Sequence, residues 1–168
     1  MRFLNTQTRN NLFISPKLAI KQLELWLQQA SNQMQSKNWT QAIFNLGCSY
    51  ESSETLLNLQ PLQSSHRTTR INPTSKRQLT EYYVLSGHSI AECFSQNGHH
   101  DLELRYLLQL HQGLLKLCNN STTKTWIYQQ LLRQSMQRLI DFKKLHGNFS
   151  GYSYFFQQTE KLLSANQS

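Results

Sequence analysis

Six stretches of this chain repeat apolar residues at steps of three and four, and none alternates apolar with polar residues for long enough to make a strand. That pattern confines the chain to helices packed on helices, an all-α class. Ser15 can accept a hydrogen bond from an early helical N–H, and Pro16 fits the first helical position, where its missing donor costs nothing. Behind them Ala19, Ile20, Leu23, Leu27, Ala30 and Met34 form the first stripe. Ser36, Lys37 and Asn38 interrupt it, and Asn38 can cap a second helix carrying Ala42, Ile43, Leu46 and Leu57. So short a gap makes the two helices fold back antiparallel, a first hairpin over 15–58. Residues 59–76 then read as a basic loop, rich in Ser and Thr, with Asn72-Pro73-Thr74 opening the next helix. A second hairpin spans 77–118, turning at Asn97-Gly98, and two C-terminal helices fill 122–164. The expectation is about six helices in one domain, 15–168, behind a flexible segment, 1–14.

With 168 residues, 27 Leu and 20 Gln, the chain has the material for one helical core. No run approaches the roughly 18 apolar residues of a membrane span, so no membrane partner is expected. Cys48, Cys93 and Cys118 are widely spaced and odd in number, which suits reduced thiols in a cytoplasmic protein. The polar N-terminus has no signal-peptide pattern.

Recognised catalytic patterns are missing. There is no GxSxG elbow, phosphate-binding glycine loop or dinucleotide fingerprint, and nine acids leave little for paired-carboxylate chemistry. His88, Cys93, His99 and His100 lie close in sequence, but His88 and Cys93 fall about 140° apart around a helix. No CxxC or HExxH spacing occurs. The reading is therefore non-enzymatic, with no catalytic residue, no cofactor and no metal.

Seventeen basic against nine acidic residues give +8, concentrated in two segments. Arg67, Arg70, Lys76 and Arg77 make one of them, the basic loop. The other runs from Lys124 to His146, where Arg133, Arg138 and Lys143 wrap around their helix and form no single stripe.

Residues 25–57 resemble a tetratricopeptide repeat. Ala30 and Ala42 stand twelve apart, as the motif's two small residues do where its helices cross. Trp39 takes the aromatic place before the second Ala, and Leu46 the large apolar place after it. A weaker copy follows in Ala91, Phe94 and Gly98, with Glu103 standing where a small residue belongs. Ala30 to Ala91 is 61 residues, against a repeat of about 34, so residues 58–78 count as an insertion. The resemblance implies hairpins stacked as a short right-handed array, with a groove lined by Glu24, Leu27, Ser31 and Gln35 and by His88, Glu92 and Gln96. It also implies a role as an adaptor or chaperone-like module for another protein or peptide. Two readings stand beside it: a small basic nucleic-acid-associated transcriptional regulator, resting on the charge, and a homodimer through the leucines of the fourth and fifth helices.

Overall fold

The structure, a computed structural model, describes residues 2–12, 15–57, 73–120 and 126–164. Among them it is all-helical, an array of helical hairpins without strands. Seven helices follow in order: α1 (Thr6–Asn11), α2 (Pro16–Gln35), α3 (Trp39–Leu57), α4 (Pro73–Gln96), α5 (His100–Asn120), α6 (Trp126–His146) and α7 (Tyr152–Ser164). They form two compact units, Met1–Asn97 and Gly98–Ser168.

In the first unit Ser15 caps α2, its Oγ accepting from the Leu18 N–H, and Pro16 follows as the spacing predicts. The α2–α3 turn is three residues long. Lys37 occupies the left-handed region at φ 58°, which lets the Asn38 N–H reach back to the Gln33 carbonyl at 2.8 Å. Here α2 packs on α3, and α4 packs on α3 and more narrowly on α2. Ala30 and Ala42 are both fully buried. Helices approach this closely only where side chains are small, and α3 supplies Ala42, Gly47, Cys48, Ser49, Ser52 and Ser53, all buried.

Residues 2–12 cover a further side of α3, and for these residues of the segment expected to be flexible, 1–14, the structure shows packing instead. Leu4 and Leu12 are buried in a core cluster with Ala19, Leu23, Cys48, Leu56 and Leu79. Phe3 lies on Gly47, where any larger residue would collide with its ring. Glu51 anchors the segment: Oε2 accepts from the Phe3 and Leu4 N–H groups at 2.7 and 2.9 Å, and Oε1 pairs with Arg9. A carboxylate that takes up two backbone donors and a guanidinium is a strong tether. Replacing Glu51 with Gln should therefore loosen residues 2–12 by about 1–2 kcal/mol. The expected readout is faster hydrogen exchange at the Phe3 and Leu4 amides, with the amides of α5 unchanged.

The expected second hairpin, 77–118, is divided at the boundary between the units. The reason is the partner each helix takes. Tyr83 of α4 stacks on Tyr50 of α3 with ring centroids 4.7 Å apart, and their hydroxyls meet at 3.0 Å. Burial raises the Tyr83 phenol well above its ordinary range, so it stays protonated.

α5, in contrast, lies along α6. At the centre of the second unit His111 is fully buried, with Nδ1 3.2 Å from Ser135 Oγ of α6 and Nε2 2.9 Å from Thr159 Oγ1 of α7. Thr159 Oγ1 lies 2.8 Å from the Phe155 carbonyl, and with its proton directed there we assign Nε2–H as the donor to Thr159 and Ser135 as the donor to Nδ1. One neutral imidazole thus joins three helices. Thr159 is the most deeply buried residue of α7, whereas Tyr154 and Phe156 are exposed. Leu107, Leu110, Leu114, Leu132 and Leu139, part of the basis for a homodimer reading, are buried as well.

Candidate protein-binding face

All seven residues expected to line a groove lie in the first unit, four on α2 and three on α4. The position of each follows from helical arithmetic. Glu24, Leu27, Ser31 and Gln35 recur at steps of three and four, so they share one side of α2. That side flanks the core stripe, about 100° round the helix from it: Glu24, Ser31 and Gln35 are exposed and Leu27 half-buried, while Leu23 and Ala30 are buried. On α4, His88 and Glu92 are half-buried and Gln96 exposed. Glu92 and Gln96 are joined on their own helix, the amide nitrogen donating to Oε1 at 2.9 Å.

The two helices meet at one polar junction. Glu24 Oε1 accepts from the Tyr82 hydroxyl at 2.7 Å and from the Gln78 amide at 3.1 Å, and Gln78 also donates to the Tyr82 oxygen at 2.8 Å. Burial, and next the bond to the Glu24 carboxylate, raise the Tyr82 phenol above its ordinary range, so it remains the donor. Leu85 is half exposed and lies seven residues before Glu92, which puts both on one face of α4 within about 20°. Glu24 is therefore a joint in the wall of this face.

The basic residues are distributed differently from the expectation. Lys76 and Arg77 belong to the first turns of α4 and not to a loop, because Pro73 already opens that helix. Arg77 is bridged to Glu81 at 3.0 Å. Arg67 and Arg70 lie outside the described residues. In the second unit Lys143 sits 3.9 Å over the ring of Tyr152, and Lys144 lies 3.6 Å from Asp141. These cations are engaged locally, one with an aromatic ring and two with acids.

The described residues arrange no nucleophile beside a base in an accessible position. Burial, with neighbouring Glu51, pushes the Cys48 thiol up to about 11; burial with Glu92 does the same for Cys93, and burial alone for Cys118. Thiols held there are protonated at neutral pH and poor nucleophiles. Three features were missed by sequence reading: the Glu51 tether, the His111 network and the nearly all-round burial of α3. Each joins residues far apart in the chain, and the serines of α3 resemble a solvated face in one dimension. A signal did exist in α3, where Gly47, Cys48 and Ser49 make a run of small residues characteristic of close packing.

No helix among the described residues is long and apolar enough to cross a membrane. Neither the curated proteins nor the solved structures contain a match to this chain. A family pattern does match, from Gln22 in α2 to Glu160 in α7, and on that span the chain belongs to DUF2753, a family of proteins of unknown function.

Proposed function

We propose that the protein is a non-enzymatic, tetratricopeptide-like binding module whose α2/α4 face holds a segment of another protein. The observation that carries this reading is the Glu24–Tyr82–Gln78 junction, which sets α2 beside α4 with α3 behind them. Full burial of Ala30 and Ala42 supports the same nesting of helices. The face is largely polar, with the carboxylates of Glu24 and Glu92, the amides of Gln35 and Gln96, an exposed leucine, Leu85, and a half-buried one, Leu27. Such a surface suits a helical or extended segment that brings basic or amide side chains around one apolar anchor. The three unbridged, protonated thiols support a reducing compartment, and the reading places the protein in the cytoplasm.

The test compares the whole chain with a Ser31→Arg, Gln96→Arg variant, both positions being exposed. A protein retained by the wild type should be held about tenfold or more weakly by the variant. Undiminished retention contradicts the reading. So does the absence of any protein partner combined with steeply salt-dependent binding of duplex DNA that is lost when Arg67, Arg70, Lys76 and Arg77 become Ser.

A further inference from the structure

His100 opens α5 and His146 ends α6, and the pairing of these helices brings the two residues together although they stand 46 apart in sequence. Their rings lie 4.1 Å apart, tilted by 34°. One turn into α5, Glu103 sets Oε2 3.0 Å from His100 Nδ1. One ligating atom from each of the three residues falls within 4.8 Å of the others.

An ordinary ion pair explains only half of this arrangement. The Glu103 side chain is 14% exposed, and one imidazole suffices to accompany its charge. A second imidazole stacked on the first adds nothing to that pair, and two imidazolium rings at this separation repel. A divalent ion changes the balance, because it attracts both neutral rings and the carboxylate together.

Packing and backbone turns set the two helix ends that carry these residues. Phe142, buried, packs against His146 with centroids 4.6 Å apart. Gly147 at φ 90° ends α6, its N–H bonded to the Lys143 carbonyl at 2.9 Å, and Gly98 at φ 73° precedes α5. Both turns use the left-handed region that glycine enters without strain. They fix the places where the two histidines leave their helices.

The distances suit a transition ion. Ligand bonds of about 2.0–2.1 Å in a tetrahedron place neighbouring donors about 3.3 Å apart. His100 Nδ1 and Glu103 Oε2 are already at 3.0 Å, and rotation of the exposed His146 closes the rest. Two imidazoles with one carboxylate favour the zinc class over magnesium or calcium, which prefer oxygen throughout.

We propose that His100, Glu103 and His146 bind one divalent ion of the zinc class, clamping the start of α5 to the end of α6 and leaving a fourth position open to water. The inference concerns the second unit and does not depend on the α2/α4 face.

The test titrates zinc chloride by calorimetry into the whole chain, previously stripped with a chelator. One ion per chain should bind. His100→Gln and His146→Gln should each weaken it about a hundredfold or more, and Glu103→Gln about tenfold or more. His99→Gln, adjacent in sequence but outside the cluster, should leave it within about twofold, and calcium chloride should give no saturable heat. Circular dichroism establishes that the variants remain folded. A parallel titration with cobalt chloride should give a visible absorption band that disappears in His146→Gln. The proposal is overturned if the stripped chain takes up no zinc, if His146→Gln binds as tightly as the wild type, or if His99→Gln loses as much as His100→Gln.

Discussion

Between pH 6.5 and about pH 4 the second unit should lose about 3 kcal/mol of stability through a single side chain. Burial alone lowers His111 from an ordinary 6.5 to about 4 in the folded chain. The unfolded chain takes up the proton at 6.5, so acid favours unfolding throughout that window. The contribution is fully present above pH 6.5, falls as the pH drops toward 4, and changes no further below that. Geometry supplies the same sign. Protonated His111 needs an acceptor at both nitrogens, but Ser135 at Nδ1 is positioned as a donor and would have to reverse. Urea unfolding followed by circular dichroism across this range should show the slope. His111→Gln removes the titrating ring, so its curve should be flatter, while it starts about 1–2 kcal/mol less stable at pH 7 because one hydroxyl loses its partner. Equal pH slopes for the two chains would show that His111 is not the group responsible.

The second large effect is expected at the two alanines. Ala30→Leu and Ala42→Leu each add three methylene-sized groups where no surface is exposed. Overpacking of this kind costs typically about 1–3 kcal/mol, and the upper end is expected because both methyl groups are fully buried. Ser31→Leu, one residue along and exposed, is the matched control and should change stability by about 0.5 kcal/mol or less. Denaturant midpoints for the three variants decide the matter. If Ala30→Leu costs no more than Ser31→Leu, the helices do not nest at that point.

Helix positions were legible in the sequence because their signals are local. Ser15-Pro16, Asn72-Pro73 and Asn97-Gly98 each act through the backbone of adjacent residues, and the structure starts or stops a helix at each of them. The α2–α3 hairpin followed from a gap too short to permit anything else. Partner choice was less legible. The sequence groups α4 with α5 by proximity, whereas Tyr50–Tyr83 and His111–Ser135 assign them to different units, and stacking or hydrogen bonding of that kind leaves no periodic trace. Glu51 shows the same limit: its spacing to Glu54 suggests a solvated pair, but its carboxylate is committed to backbone donors 47 and 48 residues away.

What the sequence shows of the candidate face is the exposure of its α2 side: Glu24, Ser31 and Gln35 lie about 100° round the helix from Leu23 and Ala30, past the edge of the apolar stripe, and are exposed. Sequence could not show that Glu24 would join α4 through Tyr82, since that contact spans 58 residues. For Lys76 the sequence carried two conflicting signals, a Ser- and Thr-rich loop drawn over 59–76 and a helix start at Asn72-Pro73-Thr74, and the helix start prevails.

The measurement closest to the central proposal places a photo-crosslinking side chain at Ser31, at Gln96 and, as a control, at Gln134, all exposed. Ser31 is on α2 and Gln96 on α4, the two helices of the proposed face, and Gln134 lies on α6 in the other unit. Irradiation in cells followed by peptide mapping should attach one and the same segment of one protein to positions 31 and 96, and nothing at 134. Adducts from 134 in equal yield, or unrelated proteins at 31 and 96, would contradict a shared face on α2 and α4.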